Sequence, residues 1–297
     1  MPQSLAMLCL VAAMAMGGAN VPFGKAIVSE ISVEAFLVVR FIIASILLAL
    51  LVPFEPGPRL SSLSLRHWGG LVALALLGSV LFTVFLLMGV QRTTATDAGI
   101  ITATLPAVIV AASALLGERP RTGEVGMVAL AVLGVGLIQA SAAGTGGQQS
   151  FAGNVLVGVA VLCEASFVLV SRTMSALVRP VRLSFGVSVI CLVACLPLLA
   201  SPTVWFDPRS LSWETWILIG WYTVTASILS TVLWYMGVSL VPGWVAGLAT
   251  TALPLTALAV SAAYLGETIS QAQMAGAALV ILSLCLGSLA QRRRRTG

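Results

Sequence analysis

The chain has 297 residues, of which 59% are hydrophobic and only 8% charged, with a mean hydropathy of +1.07. No water-soluble globular domain of this length could carry such a composition on its surface, so the sequence reads as an integral membrane protein. The formal charge of +5 then reflects sidedness in a lipid bilayer rather than a nucleic-acid footprint.

Apolar stretches of about 20 residues, each enough to cross roughly 30 Å of hydrocarbon, fall in chain order at 4–24, 34–54, 68–90, 97–116 and 123–141. Five more follow at 152–172, 182–200, 213–237, 244–264 and 271–290. The first is interrupted by Asn20 and Pro22, and the seventh ends in Pro197 and Pro202. The N-terminal stretch lacks a basic leading segment and an Ala-x-Ala cleavage site, so a removable signal peptide is not expected.

Residues 68 to 106 recur at 216 to 254 with a constant offset. Trp68 matches Trp216, Ser79 matches Ser227, Thr83 matches Thr231, and Met88-Gly89-Val90 matches Met236-Gly237-Val238. Further on, Ala98-Gly99 matches Ala246-Gly247, Thr102 matches Thr250, and Leu105-Pro106 matches Leu253-Pro254. The chain is therefore a duplicated five-span unit, 1–141 and 152–297, joined by the uncharged Gly-rich stretch 142–151.

An odd number of spans per unit forces the second copy to enter the membrane from the opposite side. The fold class expected is all-α: an integral membrane protein of ten transmembrane helices in two inverted five-helix repeats. That is the plan of secondary transporters, with a site at the repeat interface. A channel or an intramembrane enzyme could also arise by duplication, so the plan favours transport without proving it.

Sidedness follows from basic residues. With ten spans the termini share one face, which collects Arg59, Arg66, Arg119, Arg121, Arg172, Arg179, Arg182 and the run Arg292 to Arg295. The other face holds Lys25, Arg92 and Arg209. The positive-inside rule places both termini in the cytoplasm, in the inner (cell) membrane of a bacterium. Lys25, Arg172 and the terminal arginine run read as interface anchors.

The polar residues inside the spans are the candidate site. Asn20 needs a partner in hydrocarbon, either another helix or a substrate. Ser79 with Thr83, and Ser227 with Thr231, place hydroxyls one turn apart on spans three and eight; these serve close helix packing, cavity lining or both. Pro106 and Pro254 each free a carbonyl one turn earlier, near Thr102 and Thr250, which either lines a wet cavity or simply kinks the helix. Glu164 lies near the bilayer midplane, where an ionised carboxylate is disfavoured by roughly 3 kcal/mol. It is a ligand for a substrate ammonium, a proton-coupling group, or half of an ion pair with Arg40. Arg40 itself is near enough to the outer leaflet for its stem to snorkel as an anchor, or it recognises a substrate carboxylate. Trp234, on one face with Ser230 and Thr231, could form with Phe82 an apolar wall for a substrate side chain, or pack in the core. Trp68, Trp205, Trp213, Trp216 and Trp244 read as interface-belt residues.

Leu116-Gly117-Glu118 before the fifth span and Leu265-Gly266-Glu267 before the tenth are turn signals. Thr122 follows the first, and Ser270-x-x-Gln273, a capping box, follows the second. Asp97 sits at a helix start as an N-cap. Ten spans in two halves, each with Leu-Pro, an apolar run to Leu-Gly-Glu and a helix bearing Gly126 and Gly134 or Gly276, resemble the EamA-type branch of the drug/metabolite transporter superfamily. Gly18-Ala19-Asn20 leading to Lys25 is similar to that family's first helix. The resemblance covers the whole chain. It implies export or exchange of small metabolites through a cavity lined by spans 1, 3, 4, 6, 8 and 9. Within the branch the chain looks most like the YddG-type exporters of aromatic and other neutral amino acids, although Met16-Gly17 stand where the family often has a tryptophan.

Much chemistry is absent. Cys9, Cys163, Cys191, Cys195 and Cys285 fall inside apolar spans as small packing residues, and His67 is the only histidine. No metal, cofactor, catalytic set or nucleic-acid partner is expected. Nothing resembles a P-loop, so a gradient must drive any flux. The expectation is a non-enzymatic carrier of zwitterionic metabolites, most simply amino acids, by alternating access, with other amphiphilic or cationic metabolites as the second reading. Its partners are the small-molecule substrate and the lipid bilayer, with a monomer as the simplest unit. Spans 3, 4, 8 and 9 are expected to form the cavity.

Overall fold

A computed structural model describes residues 1–57, 60–142 and 150–293. The core of the Gly-rich connection, 143–149, and Arg59, Arg294 and Arg295 lie outside the described residues, as do the side chains of Arg292 and Arg293.

Ten helices are long and apolar enough to span a bilayer, and no strand occurs among the described residues. They are α1 Gln3–Val28, α2 Val33–Phe54, α3 Leu65–Val90, α4 Thr96–Leu115, α5 Thr122–Ser141, α6 Phe151–Leu177, α7 Pro180–Ala200, α8 Trp213–Leu240, α9 Gly243–Leu265 and α10 Gln271–Gln291. The ten expected stretches each correspond to one of them. α1 and α6 run several residues past their apolar stretches, with Lys25 on the last turn of α1 and Arg172 five residues before the end of α6. α6 ends where Val178 turns extended ahead of Arg179-Pro180, because a residue near a proline is pushed out of the helical region.

The two repeats interlock. α1, the first helix of its repeat, packs against α8 and α9 of the other, and α6 packs against α3 and α4. α2 packs against α7, and α5 against α10. At the α5–α10 crossing a Cβ on Gly134 would stand 2.7 Å from the Gly276 carbonyl oxygen. Only glycines admit that approach, and close backbone contact is what holds membrane helices together where lipid supplies no hydrophobic drive.

Helix irregularities recur at equivalent places. α3 carries a π-helical stretch at Leu76–Leu81 and α8 one at Thr223–Leu229. α4 breaks between Ala103 and Leu105, and α9 between Thr250 and Ala252, each just ahead of its proline. π-bulges and proline breaks locally loosen the backbone ladder, and all four border the central cavity described below.

The two Leu-Gly-Glu turns use left-handed glycines, Gly117 at φ +97° and Gly266 at φ +67°. Past the second, Ser270 N–H donates to Gln273 Oε1 at 2.8 Å while Gln273 N–H donates to Ser270 Oγ at 3.2 Å, the reciprocal capping box read from the sequence. Past the first, Glu124 rather than Thr122 does this work, accepting from Arg121 N–H at 2.8 Å. At the start of α4 the cap is Thr94, which accepts from Asp97 N–H, so Asp97 lies in the first turn and is not the N-cap. Trp244 is 2% exposed and packs inside the bundle instead of in the interfacial belt, because the α8–α9 connection is pressed against α4.

Candidate functional site: a central cavity with paired ion bridges

A cavity of about 1010 Å³ lies between the repeats. Its lining reaches Lys25, Glu267 and Gln273 at one end and stops near Glu164, Ser79 and Thr250 toward the other. Met14 and Gly17 of α1, Val161 of α6 and Leu253 of α9 supply apolar wall. α3, α4 and α9 line it as expected, but α8 contributes only Tyr222 and Ala226, while α2, α5 and α7 also take part.

Of the residues singled out in the sequence, Ser79, Phe82, Thr83, Thr102, Pro106, Glu164, Thr250 and Pro254 line this cavity. Thr102 Oγ1 donates within its own helix to the Ala98 and Gly99 carbonyls, and accepts from Gln139 Nε2 at 3.2 Å. Thr250 Oγ1 donates to the Gly247 carbonyl at 2.7 Å.

The other four lie outside the lining. Asn20 is 1% exposed, and its Nδ2 donates to the Met16 carbonyl at 2.7 Å and to Thr225 Oγ1 at 2.8 Å. It ties α1 to α8, as the interhelical one of its two readings expects. Trp234 is 2% exposed, stacks on Phe167 and donates Nε1–H to Ser171 Oγ at 3.1 Å. This indole pins α8 to α6, because the interlocked repeats turn that face of α8 toward the α6 core; it forms no wall with Phe82. Thr231 Oγ1 donates to the Ser227 and Ile228 carbonyls of its own helix. Ser227 is 3% exposed and accepts from Arg40 Nε at 2.7 Å.

Arg40, read as an anchor or as a contact for a substrate carboxylate, also borders this space. It lines the cavity instead of snorkelling, with its Cζ 5.0 Å from the Phe41 ring centroid and 5.2 Å from that of Tyr222. The signal was an arginine about two turns inside an apolar span. No ion pair joins it to Glu164; among the described residues the bridges are Lys25–Glu267 and Arg172–Glu118. Glu164 therefore faces the cavity with no charged partner among the described residues. Gln139, a lining residue on α5, was passed over despite being a polar side chain in a span.

The two bridges are counterparts under the repeat, each joining the end of a first helix to the Leu-Gly-Glu turn of a fourth. Lys25 Nζ and Glu267 Oε1 stand 3.5 Å apart with side chains 62% and 52% exposed. Arg172 Nη2 and Glu118 Oε1 stand 2.6 Å apart with side chains 22% and 31% exposed. The second bridge is also braced: Glu118 Oε2 accepts from Gly243 N–H at 2.8 Å, and Arg172 Nη2 donates to the Val241 carbonyl at 3.0 Å. One end of the molecule is thus a loose, wet mouth and the other a cross-linked floor. Arg172 is part of that floor and not merely an interface anchor.

Ten membrane helices in two interlocked repeats around a solute-sized cavity define a membrane transporter. The chain belongs to the EamA-like transporter family, whose model matches it twice, at residues 4–140 and 151–289. It is 34% identical over 280 residues to the uncharacterized transporter YetK of Bacillus subtilis (strain 168), a match covering 93% of this chain and 84% of that protein. A solved crystal structure superposes with a TM-score of 0.78 at 17% identity, over 97% of this chain and 98% of that one, a likeness of fold.

Proposed function

We propose that the protein exports small zwitterionic metabolites, amino acids with aromatic or other neutral side chains foremost, by alternating access across a bacterial cell membrane. The observation that carries this reading is the pairing of two symmetry-related ion bridges with one cavity that opens at only one of them. Duplicated halves threaded in opposite senses can exchange conformations, so the state with Arg172–Glu118 locked and Lys25–Glu267 loose has a natural mirror. Besides the Lys25–Glu267 bridge at its mouth, a cavity wall of aliphatic and aromatic side chains with the cation Arg40 and the carboxylate Glu164 suits a solute of no net charge that carries both signs.

By the positive-inside rule the Arg172–Glu118 face is cytoplasmic together with both termini, and the present state is outward-open. A second reading, amphiphilic cations of similar size, is favoured by the unpartnered Glu164 alone. Reconstitution into liposomes loaded with a panel of labelled amino acids and amphiphilic amines, with and without a pH gradient, tests both. Flux of neutral amino acids, lost in Glu164→Gln while the protein stays monodisperse, is the expected result. Flux of amines alone would replace the first reading with the second, and the absence of any flux would overturn both.

A further inference from the structure

We infer that the terminal nitrogen edge of Arg40 is the receptor for the substrate's carboxylate, an assignment that rests on the amino-acid reading above. A guanidinium has five N–H donors in one plane and two faces. Here the Nε–H is used on Ser227 Oγ at 2.7 Å, and the Cζ lies over the Phe41 and Tyr222 rings at 5.0 and 5.2 Å. These contacts hold the group from α2 and from α8, one helix of each repeat. No protein carboxylate pairs with Arg40 among the described residues, and Ser227 is its sole side-chain or backbone acceptor there. What remains is the Nη1/Nη2 fork on the cavity side, which matches a carboxylate in bidentate geometry.

The surroundings select among anions. A cation within a membrane span is costly unless paired or watered, so an anionic ligand gains what the protein leaves unsatisfied. A phosphate dianion would find this one unpaired cation and would face the Glu164 carboxylate in the same cavity. A monoanionic carboxylate on a solute that also carries an ammonium meets a complementary group at each place. Arg40 lies seven residues past Val33, about 10 Å along its helix from the mouth, and Glu164 thirteen past Phe151, about 20 Å from the same face. A solute held by its carboxylate at Arg40 therefore has its ammonium on the floor side, with Glu164 deeper in the cavity and acting across it rather than in contact. Ser227, buried and outside the lining, acts as a positioning residue through Arg40.

The test compares an acid with its own amide, which keeps side chain and ammonium but lacks the anion. In proteoliposomes, labelled leucine and phenylalanine are set against leucinamide and phenylalaninamide. Wild-type protein should carry the acids at least tenfold faster than the amides. Arg40→Gln should bring the ratio to within about twofold by lowering acid flux alone, Arg40→Lys should fall between, and Ser227→Ala should narrow the ratio with the charge intact. If Arg40→Gln does not yield monodisperse protein, Ser227→Ala and Tyr222→Leu must narrow the ratio for the assignment to stand. An unchanged ratio in these variants, or equal wild-type flux of acid and amide, overturns the carboxylate receptor while leaving amino-acid export in place. No wild-type flux of either acid would remove the amino-acid reading, and the receptor with it.

Discussion

Arg172 and Glu118 close one end of the cavity with a 2.6 Å ion bridge whose two partners are both braced to the backbone of the α8–α9 connection. A charge-assisted hydrogen bond of this kind contributes about 1.5–3 kcal/mol, enough to bias the two conformations of a carrier by an order of magnitude or more. Its counterpart at the other end, Lys25–Glu267, is more than half exposed on both sides and worth far less. The two bridges occupy equivalent places in the repeats, one braced and largely buried and the other exposed.

Glu118→Gln should therefore open the floor. A cysteine at Ser113, which is 2% exposed beneath Gly243, should gain maleimide labelling several-fold from the face bearing the C-terminal tail. Glu267→Gln should leave that labelling unchanged. Equal labelling of Ser113→Cys with and without Glu118→Gln would mean that the bridge does not hold the floor.

The α5–α10 crossing predicts a stability effect without any charge. In Gly276→Ala the new methyl would stand 2.5 Å from the Gly134 carbonyl oxygen, and overpacking of that kind costs about 1–3 kcal/mol. Gly136→Ala, where no foreign atom lies within 4 Å, serves as the control. Thermal unfolding in detergent should show a drop of several degrees for the first and none for the second.

Asn20 and Trp234 should separate from the site in kinetics. Asn20→Leu removes the α1–α8 hydrogen bond to Thr225, and Trp234→Phe removes the α8–α6 bond to Ser171. Bonds between membrane helices are worth about 0.6–1.7 kcal/mol each. Both variants should lose that much stability while their half-saturating substrate concentration stays within twofold of wild type. A tenfold rise in either would return that residue to the binding site.

The ten spans, their inversion and the capping box at Ser270 were legible in the sequence because hydropathy and duplication act on long windows and are indifferent to which helices finally touch. The cavity hydroxyls on α3 and α4 were legible because polar groups in hydrocarbon have few places to go. Which face of α8 meets the cavity was not. Ser79 and Ser227 are equivalents in the alignment, yet Ser79 lines the cavity and Ser227 lies behind Arg40, since the protein adopts one conformation in which its repeats are not alike. Trp234 took the core-packing one of its two readings, its face of α8 having gone to α6. Arg40 stayed open between two readings because depth along an isolated span cannot tell a snorkelling side chain from one held beside the rings of a neighbouring helix. The ion bridges needed contact between the first helix of one repeat and the fourth of the other, which no local pattern records.

Locking the mouth tests the central claim most directly. With the five native cysteines replaced, Lys25→Cys and Glu267→Cys are joined by a short reducible bifunctional thiol reagent, and amino-acid flux is followed in proteoliposomes. Flux that stops on cross-linking and returns on reduction is the result predicted for a carrier that must open and close this end in every cycle. Undiminished flux through the cross-linked protein would contradict it.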